Sequence, residues 1–168
     1  MYRAQTLTDA RRARIFHFAP YVGSFNDRGN SGIARGNQVG IAGPDFVLAY
    51  DVIHGGRPSR MEEAGTFMHE LGHNLGLNHG GSSADGAINY KPNYPSIMNY
   101  FWQFSGTFKN STLGLLDYSE GTLAPLNENA LSESAGLDPD AAASDISTMW
   151  ACPDHSSRGP LPSMSDVD

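Results

Sequence analysis

The chain has 168 residues, 39% of them hydrophobic, and a formal net charge of −7. This size and composition are typical of one globular domain with its own core, and the acidic excess argues against non-specific nucleic-acid binding, which requires a basic surface. The single cysteine excludes an intrachain disulfide, and no apolar run is long enough to span a membrane.

The N-terminal part is predicted to form strands that alternate with turns. Aromatic and β-branched residues predict one strand within 13–25 and a second within 45–53. The glycine-rich segment between them is predicted to be mostly loop, with one short strand at 32–35. A plain loop at 32–35 stays open as the alternative.

A helix is predicted from about Arg60 to Leu75. Ser59 and Glu62 match the capping-box signature, and Gly76 is placed to end the helix in left-handed geometry. Apolar residues recur at helical spacing along one face, which we expect to pack into the body of the domain. These residues are Met61, Ala64, Met68, Leu71 and Leu75.

The C-terminal half begins with a loop at 80–93, rich in Gly, Ser, Asp and Asn. A compact apolar and aromatic segment, "YPSIMNYFWQF", follows it. Two further helices are predicted, at 126–137 and near 140–150, and residues 156–168 are expected to form a flexible tail.

The sequence "HELGHNLGLNH", which begins at His69, has the spacing of a metal site. His69 and His73 are four residues apart on the predicted helix, so their side chains project from the same face. A third ligand cannot easily come from the next turn of a straight helix. Because Gly76 permits a sharp turn, His79 can return to the same ion.

Three neutral imidazoles would leave one position of a tetrahedral zinc ion open for water, as catalytic sites require. The metal lowers the pKa of such a water to about 7. Glu70 follows the first histidine and can take the proton of this water as a general base. A structural zinc site is the alternative, although such sites usually have four protein ligands and favour cysteine. Cys152 has no ligand spacing around it.

The motif from His69 to His79, together with "SIMNY" at 96–100, resembles the metzincin clan of zinc metalloendopeptidases. The resemblance implies an α+β catalytic domain in which a small twisted mixed sheet lies over the active-site helix. An upper subdomain would comprise residues 1–79, and an irregular, partly helical lower subdomain residues 80–155.

The resemblance also assigns roles to single residues. His69, His73 and His79 would bind one catalytic zinc ion, Glu70 would be the general base, and Met98 would form a hydrophobic floor beneath the histidines.

The Met-turn pattern S-x-M-x-Y is similar to that of astacins and serralysins. It implies that the Tyr100 hydroxyl ligates the zinc ion or hydrogen-bonds the oxyanion, with a simple packing role as the alternative. The residue after the third histidine is Gly80, where astacins carry Glu, serralysins Pro and adamalysins Asp, so the subfamily stays open. Metzincins also place more structure before the first strand, so the domain is expected to be short or to lack its N-terminal part.

The metzincin resemblance further implies that an extended peptide pairs with an edge strand of the upper sheet. The residues expected to form this edge are Gly32, Ile33, Ala34 and Arg35. Phe101 and Trp102, after the Met-turn, could line a substrate pocket or belong to the core. Calcium is a further candidate cofactor, because "GGSSADG" at 80–86 and the tail supply oxygen atoms, but no EF-hand spacing is present.

The resulting hypothesis is a zinc-dependent endopeptidase that acts on protein or peptide substrates. It is expected to be monomeric and, by family resemblance, secreted, with any export signal outside this sequence. The alternative is a zinc-containing binding module on a metzincin scaffold with little or no catalysis.

Overall fold

The computed structural model describes residues 16–24, 30–34, 43, 45–51, 53, 55–81, 86–109, 112–120, 123, 126–127 and 129–130. Within these ranges the chain has an α+β fold, as the sequence predicts. Its elements are β1 (Tyr21–Val22), β2 (Gly32–Ala34), β3 (Phe46–Ala49), α1 (Arg60–Asn74), α2 (Tyr100–Gln103), β4 (Thr107–Lys109) and β5 (Thr112–Leu115). No helix of the described part combines the length and hydropathy that crossing a bilayer would need.

The first three strands form one small mixed sheet in the order β1-β3-β2. β1 runs parallel to β3, and β2 runs antiparallel to it. Phe46 and Leu48 of the central strand are almost completely buried, and the Phe46 ring packs edge-to-face on Phe67 of α1, with 5.1 Å between centroids. The sheet therefore covers α1, and its hydrophobic contacts with the helix form the core of this half.

The predicted strands are present but shorter than expected. Within 13–25, the described residues form β1 and one isolated parallel bridge between Phe18 and Asp45. Within 45–53, the regular strand is β3 alone, after which Asp51 begins a turn. The short strand predicted at 32–35 is β2, and Arg35 lies outside the described residues.

The main-chain polar groups of β2 divide between its two sides. Ser31 accepts the Ala49 amide at 2.8 Å, and Ile33 is paired with Val47. In an antiparallel ladder the hydrogen-bonded pairs alternate with non-hydrogen-bonded pairs, so the amides and carbonyls of Gly32 and Ala34 point away from β3. β2 is thus an edge strand of the described sheet. Its outward groups are able to pair with another chain, except the Ala34 amide, which donates to Glu70.

Helix α1 begins and ends on the predicted signals. The Ser59 amide donates to Glu62 Oε2 at 2.7 Å, and the Glu62 amide donates to Ser59 Oγ at 3.3 Å, which completes the capping box. Gly76 has φ of +90°, and the Leu77 amide donates to the Gly72 carbonyl at 2.9 Å. This is the Schellman pattern that reverses the chain after a helix.

The burial of α1 differs from the expectation that its apolar stripe would be the packed face. Leu75 is 57% exposed, and the other four apolar residues of the stripe are only partly buried. The buried residues are mostly polar or glycine: Glu62, Gly65, Thr66, His69, Glu70, Gly72, His73 and Asn74. The reason is close backbone packing, because a Cβ atom at Gly65 would collide with the carbonyl oxygen of Gln103.

The segment after 93 forms a tight turn and then α2. Ile97 and Met98 of the turn are fully buried, and the Asn99 side chain caps α2 by accepting the Phe101 amide at 3.1 Å. A hairpin of β4 and β5 follows, which the sequence analysis did not predict. In the predicted helix at 126–137, the described residues 126–127 and 129–130 are irregular or turn. The rest of that helix, the helix near 140–150 and the tail lie outside the described residues.

Candidate metal centre

The three histidines of the motif bring one ring nitrogen each to a common point. The Nε2 atoms are 3.2 Å apart between His69 and His73, 3.1 Å between His69 and His79, and 2.9 Å between His73 and His79. Tetrahedral zinc with Zn–N bonds of 2.0–2.1 Å requires nitrogens about 3.3 Å apart. The donor set therefore fits one zinc ion. Within the described residues it is the only group of three such side chains.

Local structure accounts for this convergence. His69 and His73 are one turn apart on α1, and the reversal at Gly76 returns the chain towards the helix. His79, three residues after the reversal, then approaches the first two rings. Its ring lies 4.6 Å from that of His73, centroid to centroid.

Main-chain carbonyls orient two of the three imidazoles. His69 Nδ1 lies 2.9 Å from the Ile97 carbonyl, and His73 Nδ1 lies 2.9 Å from the Leu77 carbonyl. Since a carbonyl oxygen can only accept, each Nδ1 carries the proton and donates it. Both Nε2 atoms are then free to bind metal.

Burial keeps these histidines neutral. It lowers the pKa of His69 to about 3 and that of His79 to about 4, with a further lowering from the charge of His73. Burial also lowers the pKa of His73. Metal binding requires unprotonated imidazoles, so the site is ready to bind zinc at neutral pH.

Met98 packs directly beneath α1, the helix that carries His69 and His73. It is fully buried, and its sulfur lies so close to Gly72 that a Cβ atom there would collide with it. The same glycine faces the ring of Tyr118, whose hydroxyl donates to the Met68 carbonyl at 2.7 Å. The contact of Tyr118 with α1 was not predicted from the sequence, because a lone tyrosine far along the chain belongs to no motif.

Tyr100 lies over the histidines rather than in the core. Its ring centroid is 4.4 Å from that of His79 and 5.4 Å from that of His69, and the side chain is 44% exposed. Burial of the hydroxyl raises the Tyr100 pKa, and the charge of Glu70 raises it further. The phenol is therefore protonated at neutral pH and able to donate a hydrogen bond.

Glu70 is buried against the edge strand. A Cβ atom at Gly32 would collide with the Glu70 carboxylate, so glycine leaves the space that this side chain occupies. Burial raises the pKa of Glu70 to about 8, and a hydrogen bond from the Ala34 amide acts in the opposite direction. Strongly perturbed carboxyl groups of this kind are typical of general acids and bases.

The residues predicted to bind substrate fall into two groups. Gly32, Ile33 and Ala34 form β2, whose start is joined to the lower half by a 3.0 Å hydrogen bond from the Gln103 amide to Ser31 Oγ. Phe101 is partly exposed. Trp102 is 2% exposed, which favours the packing alternative for its ring.

The calcium hypothesis gains no support. Among the described residues, the only cluster of three potential metal ligands is the histidine group. Calcium oxygens were expected from the segment 80–86 and the C-terminal tail, of which residues 82–85 and the tail lie outside the described part.

Comparison with protein families gives two matches that overlap at the metal site. A model of the metallopeptidase family M12B, reprolysin-like, matches residues 2–80, and a model of peptidase M66 matches residues 54–150. No curated protein sequence and no solved structure is significantly similar to the chain. Both matches include α1 and all three histidines, and the second covers more than half of the chain. The protein therefore belongs to the peptidase M66 family and is a metallopeptidase.

Proposed function

We propose that this protein is a zinc-dependent endopeptidase in which His69, His73 and His79 hold one catalytic zinc ion. The observation that carries the proposal is the convergence of the three Nε2 atoms, 2.9–3.2 Å apart, beneath the partly exposed ring of Tyr100. Bound zinc supplies a Lewis acid that activates water and polarises a peptide carbonyl. The remaining chemistry belongs to side chains and main-chain groups of this chain.

Glu70 is proposed as the general base. It would take a proton from the attacking water and then deliver it to the leaving amine, which balances the hydrolysis of one peptide bond. Bound zinc would favour the ionised carboxylate that accepts the first proton, and burial favours the protonated form that holds it until the second transfer. The Ala34 amide and the open space at Gly32 would keep the carboxylate in place.

Tyr100 is proposed to stabilise the transition state. Its raised pKa keeps the hydroxyl protonated, so the hydroxyl can donate to the oxyanion that forms on the scissile carbonyl. Its contacts with the rings of His69 and His79 support this role. Met98, which packs against Gly72, would fix the position of α1 relative to Tyr100.

The substrate is proposed to be an extended stretch of protein that pairs with the outer edge of β2. Gly32 and the Ala34 carbonyl present main-chain groups on that side, and strand addition uses such groups for affinity. Ile33 and Phe101 are exposed or partly exposed neighbours that could contact substrate side chains. Family resemblance supports a secreted protein, and we expect this protein to act as a monomer.

The test combines zinc content with cleavage of a quenched fluorescent peptide library. Wild type is expected to hold one zinc ion per chain and to cleave peptides in a chelator-sensitive manner. Glu70→Gln, which removes the base but keeps the shape, is expected to retain zinc and lose cleavage by a factor of about 10² to 10⁴. Full zinc occupancy with equally negligible turnover in both proteins would instead establish the binding-module alternative.

A further inference from the structure

Tyr90 has a backbone conformation that is unfavourable for its side chain. Its φ is +61°, and it is the only non-glycine residue with a positive φ in the described part of the chain. A bulky residue in this region is a genuine outlier. Strained residues of this kind persist only where surrounding contacts hold them, and they cluster at functional sites.

Hydrogen bonds fix the backbone around Tyr90. Asn89 Oδ1 accepts both the Tyr90 amide and the Tyr100 amide, each at 2.9 Å. On the other side, the Lys91 carbonyl accepts the Asn99 side-chain amide at 2.9 Å. The segment is therefore fastened directly to the start of α2, which carries Tyr100.

The Tyr90 side chain is nevertheless exposed to solvent, with 64% of its surface accessible. Its ring meets Tyr100 edge-on, at 6.1 Å between centroids and 71° between planes. Exposure of a large aromatic ring loses the hydrophobic stabilisation that burial would give. Backbone strain and solvent exposure together indicate that a tyrosine at position 90 does not serve folding stability.

The position of Tyr90 connects it to the metal centre. The ring of Tyr90 lies 6.1 Å from that of Tyr100, which lies 4.4 Å from that of His79. The Tyr90 ring is therefore within about three residues of the His79 ring along an extended peptide, which advances about 3.4 Å per residue. A second apolar side chain lies two residues before Tyr90, since Ile88 is 53% exposed. The Lys91 ammonium is held at the Gly80 carbonyl, to which it donates at 3.1 Å.

We propose that Tyr90 is a specificity-determining residue, whose ring binds an apolar side chain of the substrate within about three residues of the scissile bond. This inference rests on the proposed endopeptidase function and adds a substrate class to it. A tyrosine held in place offers a large contact area and loses little conformational entropy on binding. The enzyme should therefore prefer peptides with an aliphatic or aromatic residue at that position over peptides with a small polar one.

The test uses pairs of quenched fluorescent peptides that carry Leu or Ser at each of the three positions on either side of the cut. Tyr90→Asn removes the ring and suits a positive φ. At one of these peptide positions, Tyr90→Asn is expected to raise KM for the Leu peptide about tenfold. The KM for the Ser peptide should be unchanged. Tyr90→Phe should behave as wild type. Tyr21→Ala, which removes another exposed tyrosine, from β1, is the matched control and should have no effect.

Two further readouts separate specificity from structure and from failure of the enzyme hypothesis. Tyr90→Asn should leave the melting temperature unchanged or raise it, whereas a structural role would lower it. Binding of the same peptides to zinc-loaded Glu70→Gln protein, measured by fluorescence anisotropy, should show the same loss for the Leu peptide alone, whether or not wild type cleaves. Equal losses for the Leu and Ser peptides, or no loss for either, would overturn the proposal.

Discussion

The two parts of the metal centre are built in different ways. The helix and the turn after it supply all three histidines of the candidate site from one continuous segment, through a capping box, helical spacing and a Schellman turn. The Leu77 carbonyl of the same segment also orients His73. The group that orients His69 and the groups that surround the histidines come from elsewhere in the chain, at the Met-turn, at Tyr100 and at β2. The placement of the histidines is thus local, whereas the orientation of His69 and the setting of Glu70 depend on tertiary packing.

The largest expected effect comes from removing one of the proposed zinc ligands on α1. His73→Ala should abolish zinc binding and reduce peptide cleavage to background, because two imidazoles cannot replace a three-ligand site. Zinc content by atomic emission and cleavage of one peptide substrate are the measurements. His17→Ala, which changes a histidine that contacts Asn74 instead, should keep one zinc ion; zinc loss in both variants would contradict the assignment.

A smaller effect is expected from a change in β2, which comes from a distant part of the chain and packs against Glu70. Gly32→Ala introduces a Cβ atom that collides with the carboxylate, so Glu70 has to move away from its position. The expected result is a 10- to 100-fold lower kcat, typical of a misplaced catalytic group, with zinc content unchanged. Gly23→Ala lies directly after β1 of the same sheet, and its Cβ atom would approach only the side chain of the exposed Asp51. If it lowered kcat as much, the positioning role of Gly32 would be wrong.

Burial of Glu70 should also make the metal-free protein sensitive to pH. Its pKa of about 8 lies above the ordinary 4.5, so the free energy of unfolding falls as the pH rises from 4.5 through 8. The lowered pKa values of His69 and His79 act below pH 6.5, where stability is lost as the pH falls. Between pH 6.5 and 8, Glu70 therefore dominates among these groups and should cost on the order of 1 kcal/mol.

Urea unfolding in the presence of chelator, at pH 6.5 and pH 8, measures this difference. Wild type should be less stable at the higher pH, whereas Glu70→Gln, which cannot ionise, should show a much smaller change. The same decrease in both proteins would mean that another group titrates in this range.

The smallest expected effect concerns the beginning of α1. Ser59→Ala removes the side-chain acceptor of the capping box and should lower the free energy of unfolding by about 1 kcal/mol. Zinc content and kcat should not change, because the ligands lie two or more turns away. Ser59→Thr retains the oxygen and serves as the control in the same denaturation series; equal destabilisation by both variants would argue against the cap.

Sequence reasoning succeeded where the signals are local. The bounds of α1, its capping box and the positive φ of Gly76 were all predictable, because each depends on residues close in the chain. The burial of α1 was not, since Gly65 and Gly72 are buried by contacts with Gln103 and Met98, which come from later in the chain. A hydrophobicity pattern does not register such close backbone packing.

The sequence by itself determined the candidate metal site and the metallopeptidase class, because the three histidines, Glu70 and the turn between the histidines are encoded within eleven consecutive residues. Tertiary structure alone decided that the Ile97 carbonyl orients His69, that Glu70 lies against Gly32, and that Tyr90 joins Tyr100 beside the metal centre. The physical reason is distance along the chain. Contacts within a helix turn follow from local geometry, whereas contacts between distant segments exist only once the sheet, the helix and the Met-turn have packed together.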